Sequence, residues 1–171
     1  GEDSWNTITS VNTLPDGSYL YPWTPQEAGY YLIRAVFAGD YNHTTSVSST
    51  PLSVAKGSSS ITAILAASTI TFTQNITITG LVSPPVSDGI VTFQWSIDDE
   101  NWSVIDSGTL SNGTFLTVWA PPYAGIFYIR ALWSGNYNYN GSTSPSKMIT
   151  VAKASTSITI SLSSTTIPHG Q

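Results

Sequence analysis

The sequence contains no cysteine and very few charged side chains. Charged residues make up 9% of the 171 residues, five of them Lys or Arg, and the net charge is −5. Without cysteine, disulfide bonds and thiolate metal sites are excluded. Five dispersed basic residues argue against nucleic-acid binding, which needs clustered Lys and Arg. No apolar run is long enough to span a membrane, and neither an initiator Met nor a signal peptide is recognisable.

The residues that are abundant favour a folded chain. Hydrophobic residues make up 40% of the sequence and aromatic residues 12%. That is enough apolar surface for packed cores, and it argues against disorder. Ser, Thr, Asn and Gly occupy the polar positions, so the exposed surface is expected to be polar but nearly uncharged.

An internal repeat organises the sequence. Residues 125–139 nearly copy residues 29–43, with Gly, Ile, Arg, Ala, Gly, Tyr and Asn recurring at the same offsets. Trp5 matches Trp102 and Val54 matches Val151, and both pairs are 97 residues apart (102 − 5 = 97, 151 − 54 = 97). A period of about one hundred residues is the length of a whole domain rather than of a short solenoid unit.

The register of the repeat sets the domain boundaries. We interpret residues 1–55 as the C-terminal half of one repeat, residues 56–152 as a complete repeat, and residues 153–171 as the first strands of a further repeat. On this interpretation the sequence is a window from a longer tandem array.

Alternating apolar residues predict an all-β fold. The complete repeat contains about seven short segments of period two, separated by Gly and Pro turns, which is typical of an antiparallel β-sandwich. In residues 125–133 the alternation places Phe127, Ile129, Ala131 and Trp133 in the core and Arg130 outside, because a lone buried guanidinium is costly. The first repeat is predicted to contain strands at residues 4–8, 18–23 and 29–37.

Several motifs resemble those of prokaryotic Ig-like repeat domains of cell-surface proteins. These motifs are Ala-Gly-x-Tyr/Phe before the long strand, Gly-Asp/Asn-x-Asn at residues 39–42 and 135–138, and Ser142-Thr143-Ser144. The resemblance implies tandem Ig-like β-sandwiches without a shared active site, used as stalks and spacers in adhesins, surface layers and extracellular filaments. It also implies that Tyr31 hydrogen-bonds a loop, a bond that Phe127 cannot make at the equivalent position.

No arrangement of residues predicts catalysis, a cofactor site or a metal site. His43 aligns with Tyr139, and His169 aligns with Phe72, so neither position is His in both repeats. No Ser/His/Asp order or zinc-ligand spacing is present. The acidic run at residues 98–101 could offer oxygens to Ca²⁺, but its spacing matches no calcium loop, and a solvated acidic turn is the favoured interpretation. We therefore expect a protein that is not an enzyme.

Five Asn-x-Ser/Thr sequons are present, which predicts possible N-glycosylation. A Ser/Thr-rich chain with nine asparagines would contain two or three by chance, so the excess is modest. We expect at least two sites to carry sugar in the native source. The five asparagines are Asn42, Asn75, Asn101, Asn112 and Asn140.

Aromatic residues near loops have two interpretations. They could stack on sugar rings, or they could pack within or between domains. Because Trp5 and Trp102, and also Tyr41 and Tyr137, recur between repeats, packing is favoured. These aromatic residues are Trp5, Trp102, Tyr41, Tyr137 and Tyr139.

The outward face of the long strand is unusually apolar in both repeats. It carries Leu32 and Val36 in the first repeat and Tyr128 and Leu132 in the second. An exposed apolar patch is typical of a contact surface. Self-association with neighbouring chains or repeats is therefore the expected partnership, together with covalent glycans.

Three functions are compatible with these patterns. The first is a structural, non-enzymatic component of the cell exterior, in a surface layer, stalk or filament. The second is an adhesin or a glycan- or protein-binding module, and the third is a spacer in an extracellular enzyme. All three place the protein outside the cell or on its surface.

Overall fold

The computed structural model describes residues 4–170, and all of its regular secondary structure is β-strand. In this part of the chain, no helix has the length and apolar character needed to cross a membrane. The strands are β1 (Gly29–Phe37), β2 (Ser46–Val54), β3 (Ser60–Leu65), β4 (Thr69–Thr71), β5 (Ile76–Ser83), β6 (Ile90–Ser96), β7 (Ser103–Thr109), β8 (Thr114–Trp119), β9 (Gly125–Gly135), β10 (Asn140–Thr143) and β11 (Lys147–Ala152).

The chain divides into two compact units. The first comprises the residues up to Ser58 together with Asn136–Asn140. The second comprises Ser59–Gly135 and the chain from Gly141 onward. The second unit holds most of the buried residues, and the first is built on a hairpin.

The second unit contains two sheets of mainly antiparallel strands. One has the order β3-β5-β8, and the other has the order β4-β11-β9-β6-β7, with β10 paired to β9. The chain crosses from the first sheet to the second between β3 and β4, and β4 then pairs in parallel with β11. Two sheets whose inner faces share one apolar core form the β-sandwich that the alternation predicts.

Strand β9 supplies the central part of that core. Phe127, Ile129 and Ala131 are fully buried and Trp133 is nearly so, whereas Arg130 lies on the other face and is half-buried. The predicted inward set and the outward arginine are both confirmed. Further buried side chains come from both sheets: Ile61, Ala63, Ile76, Ile78, Val82, Val91, Phe93, Trp119, Ile149 and Val151.

The sandwich has nine strands where the sequence predicts about seven. The two additional strands are β4, with three residues, and β10, with four residues. Strand β4 is shorter than the four residues over which period two can be distinguished, and β10, with the sequence Asn-Gly-Ser-Thr, has no apolar residue to alternate. Each becomes a strand because it pairs with a longer strand, β4 with β11 and β10 with β9, and not because its own residues alternate between apolar and polar.

The first unit contains one antiparallel hairpin, and two predicted strands do not form. Strands β1 and β2 pair without interruption from Gly29↔Val54 to Phe37↔Ser46. Residues 4–8 and 18–23 correspond to β7 and β8 of the sandwich, which pair with β6 and β5. The described residues of the first unit contain no counterpart of β5 or β6. Residues 4–8 and 18–23 therefore have no strand to pair with through backbone hydrogen bonds.

The lack of a neighbouring strand among the described residues also explains why the segment near the end of the described chain forms no strand. Residues 158–162 repeat the alternation of β3, with Ile158 at 94% exposure and Ile160 at 82%, but they form no strand. In the sandwich, β3 is held by its pairing with β5. Alternation alone therefore does not produce a strand without a neighbour to receive its hydrogen bonds.

Truncating an inward side chain of β9 should destabilise the sandwich far more than truncating an outward one. Ile129→Ala removes a fully buried side chain and should cost about 2–5 kcal/mol of unfolding free energy. Ile126→Ala, on the same strand at 52% exposure, is the matched control and should cost less than about 1 kcal/mol. Urea denaturation followed by Trp fluorescence measures both. Equal losses would contradict the assigned facing of β9.

Candidate functional site

The outer face of the larger sheet carries a stacked arginine. The Arg130 guanidinium carbon lies 4.0 Å from the centroid of the Trp102 ring, and Arg130 Nε donates to Gln94 Oε1 at 2.8 Å. Stacking on the ring and the bond to the amide hold the arginine flat against the sheet. Trp102 therefore packs on the outside of the sandwich, not in the core.

The same pair recurs in the first unit. The Arg34 guanidinium carbon lies 3.9 Å from the centroid of the Trp5 ring. The recurrence of Trp5 and Trp102 in the sequence thus reflects a local cation–π stack. A packing role, favoured over sugar stacking, is consistent with both contacts, since one ring face is covered by the guanidinium in each case.

An open groove of about 580 Å³ lies on the outer face beside this stack. Its lining combines apolar side chains such as Leu132 with the polar groups of Thr92, Gln94 and Ser142. No carboxylate, imidazole or thiol is among the lining residues, so the groove has no acid–base group or metal ligand. Hydroxyls and an amide beside apolar surface could hydrogen-bond a neutral polar ligand such as a sugar.

The acidic run at residues 98–101 is a turn organised by one carboxylate. Asp98 Oδ1 accepts hydrogen bonds from Ser96 Oγ and from the backbone N–H groups of Glu100 and Asn101, and Oδ2 accepts from Asn101 Nδ2. The bond from the Asn101 amide, followed by the bonds from backbone and Ser96, lowers the pKa of Asp98 well below its usual range. Its oxygens are occupied by the chain itself, which fits the expected solvated turn.

The Gly-Asp/Asn-x-Asn motif forms the same loop in both places. Gly39 and Gly135 have φ of 87° and 77°, a conformation that glycine adopts without strain. Asp40 Oδ1 then accepts from the N–H groups of Asn42 and His43, and Asn136 Oδ1 accepts from the two equivalent N–H groups. The motif that carries the family resemblance therefore encodes a turn cap.

His43 lies within the first of these loops and is bonded to Asp40. The distance from His43 Nδ1 to Asp40 Oδ1 is 2.8 Å, and both side chains are exposed. Hydrogen bonds from Asn42 and then from His43 lower the pKa of the Asp40 carboxyl. Because Asn136 caps its loop without a histidine, the His43–Asp40 pair is best explained as part of the turn.

The predicted hydroxyl bond of Tyr31 is confirmed. Tyr31 Oη donates to the carbonyl oxygen of Glu27 at 2.8 Å, and the ring packs edge-on against Trp23 at 5.5 Å. At the equivalent position Phe127 is fully buried and meets the rings of Trp119 and Tyr123 at 5.4 and 5.2 Å. Phe127 makes no hydroxyl bond, and its ring instead fills this cluster of aromatic side chains.

Ser144, from the Ser-Thr-Ser motif, is one of the few buried polar residues. Its backbone N–H donates to the Ala131 carbonyl at 2.8 Å, and its hydroxyl accepts from the Ala131 N–H at 3.0 Å and donates to Pro145 O. This side chain ties the segment before β11 to β9. Sequence reasoning missed this role, because only the fold brings Ser144 opposite Ala131.

All five sequon asparagines are exposed, and they are not gathered into one site. Four lie outside the strands, and the fifth, Asn140, opens β10. Asn101 differs from the others because its side-chain amide donates to Asp98. Asn112 has a positive φ of 49° in the turn between β7 and β8, which places its side chain at a loop tip.

The two recurring loop tyrosines differ in exposure. Tyr41, for which packing within or between domains is favoured on the basis of its recurrence as Tyr137, is fully exposed, at 101% of its reference surface, and so is not a core residue. Tyr137 is 63% exposed. A Cβ atom at Gly29 would come within 3.1 Å of the Tyr137 hydroxyl, so the Tyr137 ring lies close to the start of β1 although it is outside the core.

Replacing Asp98 with Asn should lower stability in a pH-dependent way. A carboxyl whose pKa is lowered on folding stabilises the protein above its unfolded value of 3.8, and that stabilisation is lost as the pH falls through the lower folded value. The gap in urea midpoint between wild type and Asp98→Asn should therefore shrink progressively as the pH drops below 3.8. Glu100→Gln keeps the backbone donor and serves as control; the same pH-dependent gap in that variant would refute the assignment.

A double-mutant cycle should detect the outer-face stack. Arg130→Ala and Trp102→Ala should show a coupling of about 0.5–2 kcal/mol in unfolding free energy, as expected for a cation–π contact with one partly desolvated partner. The control cycle pairs Trp102→Ala with Lys147→Ala, since Lys147 lies on β11, on the opposite side of β9 from β6. Equal coupling in the two cycles would contradict a specific stack.

Comparison with known proteins leaves the family open. No protein-family model matches the sequence, and no curated protein matches it. Among solved structures, the crystal structure of dimeric latent PorU from Porphyromonas gingivalis is similar over 74% of this chain, with 14% sequence identity and a TM-score of 0.45. The matched region spans 12% of the PorU chain.

Proposed function

We propose that this protein is a non-enzymatic structural component of the cell exterior, built from tandem Ig-like repeats in a surface layer, stalk or filament. The strand order supports the Ig-like assignment. One sheet contains the first, second and fifth long strands of the sandwich, and the other contains the remaining strands, with the last one next to β9. This partition corresponds to the ABE and GFC sheets of Ig domains.

One observation carries the structural role. Four polar side chains at recurring positions bond to the chain itself: Asp40 and Asn136 cap their own loops, and Arg34 and Arg130 stack on their own tryptophans. An enzyme made of repeats would present recurring polar groups to a substrate. Recurring side chains that only fix the local geometry of the chain favour a structural role over catalysis.

The surface chemistry is consistent with close assembly. With 9% charged residues, neighbouring copies repel each other weakly. Apolar side chains remain exposed on the outer faces of both sheets, for example Met148 at 57%, Leu116 at 60% and Val118 at 59%. Such patches are typical of surfaces that contact other proteins.

Electron microscopy of native cell-envelope material, with an antibody against this chain, tests the proposal. Labelled regular lattices or filaments are the expected result. Label confined to isolated particles that carry a catalytic activity would instead support a spacer in an extracellular enzyme.

The groove beside Trp102 supports a second candidate, a glycan-binding module. That function predicts retention of the chain on a glycan array and loss of retention in Leu132→Asp, a change within the groove. Tyr30→Asp, an equally outward change on β1, is the control because it lies outside the groove. A wild-type chain that is not retained on any glycan would exclude this candidate.

Glycans on the exposed sequons are also part of the proposal. We expect at least two of the five sites to be occupied in the native source, with Asn42, Asn75 and Asn112 the most accessible because their side chains project from loops. Asn101 should be occupied least, since its amide nitrogen is engaged by Asp98. Intact-mass analysis before and after glycosidase treatment measures occupancy. Unmodified peptide at every site would reject the prediction.

A further inference from the structure

The Arg130 guanidinium is fixed on the outer face of the larger sheet, but the chain uses only part of it. One face of the guanidinium lies over Trp102, and Nε donates to Gln94. Within residues 4–170, no carboxylate forms an ion pair with Arg130, and its two terminal nitrogens make no hydrogen bond. The end of the planar fork, which those two nitrogens form, is therefore not used by the described chain.

The register of β6 and β9 places this guanidinium at one end of the outer-face groove. Gln94 lies opposite Arg130, and the next outward pair along the two strands is Thr92 and Leu132. Gln94, Thr92 and Leu132 all line the groove. Because Trp102 directly precedes β7, on the far side of β6 from β9, the arginine side chain reaches across β6 at Gln94. The guanidinium therefore closes the Gln94 end of the groove.

The polar side chains of the groove have hydrogen-bond donors that the chain does not use. Gln94 Oε1 already accepts a hydrogen bond, and the amide nitrogen of the same side chain keeps its N–H groups. The Thr92 hydroxyl accepts from Ser107 at 2.9 Å, which leaves its own hydrogen to donate. The Ser142 hydroxyl accepts from Ser59 at 3.0 Å and is in the same position. A groove rich in donors, beside a cation and without a carboxylate in its lining, suits a ligand rich in acceptors.

We propose that Arg130 and the outer-face groove together bind a glycan that carries a carboxylate, as a uronic acid does. The carboxylate pairs with the two terminal nitrogens of Arg130 in a bidentate manner. The sugar hydroxyl oxygens accept from Gln94, Thr92 and Ser142, and the apolar face of the sugar ring packs against Leu132. This inference names the ligand class of the second candidate function, the glycan-binding module, and rests on it.

The stack on Trp102 prepares Arg130 for such a ligand. Trp102 and Gln94 hold the guanidinium in one place before the ligand arrives, so little side-chain freedom is lost on binding. An Asp or Glu side chain from another protein would pair with Arg130 but would bring no further oxygens for the groove hydroxyls. A uronic acid carries its carboxylate and several hydroxyl oxygens on one ring, so it matches the whole set of donors better.

The test compares one oligosaccharide in two forms, an oligouronate and the same oligouronate with its carboxylates converted to methyl esters. Calorimetric titration of the full chain is carried out at low ionic strength, where charge pairing is screened least. Wild type should bind the acid form about ten-fold or more tightly than the ester, because the ester lacks the charge-assisted bond. Arg130→Gln should lower the affinity for the acid to that for the ester and leave the affinity for the ester unchanged.

Lys147→Gln is the matched control, since it removes the same charge from β11 without touching the lining of the groove. It should bind the acid form as wild type does, and an equal loss in this variant would reduce the effect of Arg130 to net charge. The comparison of acid and ester on wild type keeps the proposal testable if Arg130→Gln does not fold. In NMR spectra of wild type, the Arg130 Nε–H resonance should shift with the acid form and stay in place with the ester.

Equal affinity of wild type for the two forms would overturn the proposal and leave binding of a neutral sugar in the groove intact. Binding of neither form would also overturn it, and the glycan array decides separately whether the groove binds any other sugar. Self-association of wild type without sugar, lost in Arg130→Gln, would assign the guanidinium to a carboxylate of a second copy and overturn the glycan assignment. The proposed structural role is tested independently by envelope microscopy.

Discussion

Cross-strand pairing of β9 is the constraint on which the structure depends. This strand is bonded to β6 on one side and to β11 on the other, so its eleven residues sit in the middle of the larger sheet. Its inward side chains meet the smaller sheet, and its outward arginine stacks on Trp102. Backbone bonds, core packing and the outer-face stack all require the same register, because a slip of one residue would exchange the two faces.

The first unit has a sequence similar to that around β9, but its described strands are only β1 and β2. Strand β1 keeps its pairing to β2, but Ile33 is half-buried where Ile129 is fully buried. The arginine–tryptophan stack and the capped loop persist in both units. Contacts between near neighbours in sequence or on one face are thus the same in both units, whereas the burial of equivalent residues differs among the described residues.

Short polar side chains have local uses throughout the chain, and this shapes the functional proposal. Asp98, Asp40 and Asn136 all satisfy backbone N–H groups in turns, a role that short polar side chains fill in loops without secondary structure. Asn138 is different, since its side chain reaches residue 28, far away in sequence. The loop motif therefore combines a local part, the cap, with a docking part, the second asparagine.

The sequence alone determined the all-β class, the inward and outward faces of β9 and the turn at residues 98–101, because alternation and turn chemistry are local properties. It also located the Arg130 position on the outer face, since burial of an unpaired guanidinium is too costly. Only the tertiary structure decided which alternating segments become strands, because residues 18–23 and 158–162 have the pattern but no neighbouring strand among the described residues. The partner of Trp102, the burial of Ser144 and the docking of Asn138 were likewise set by the fold, since each contact joins residues whose separation in sequence carries no signal of their proximity.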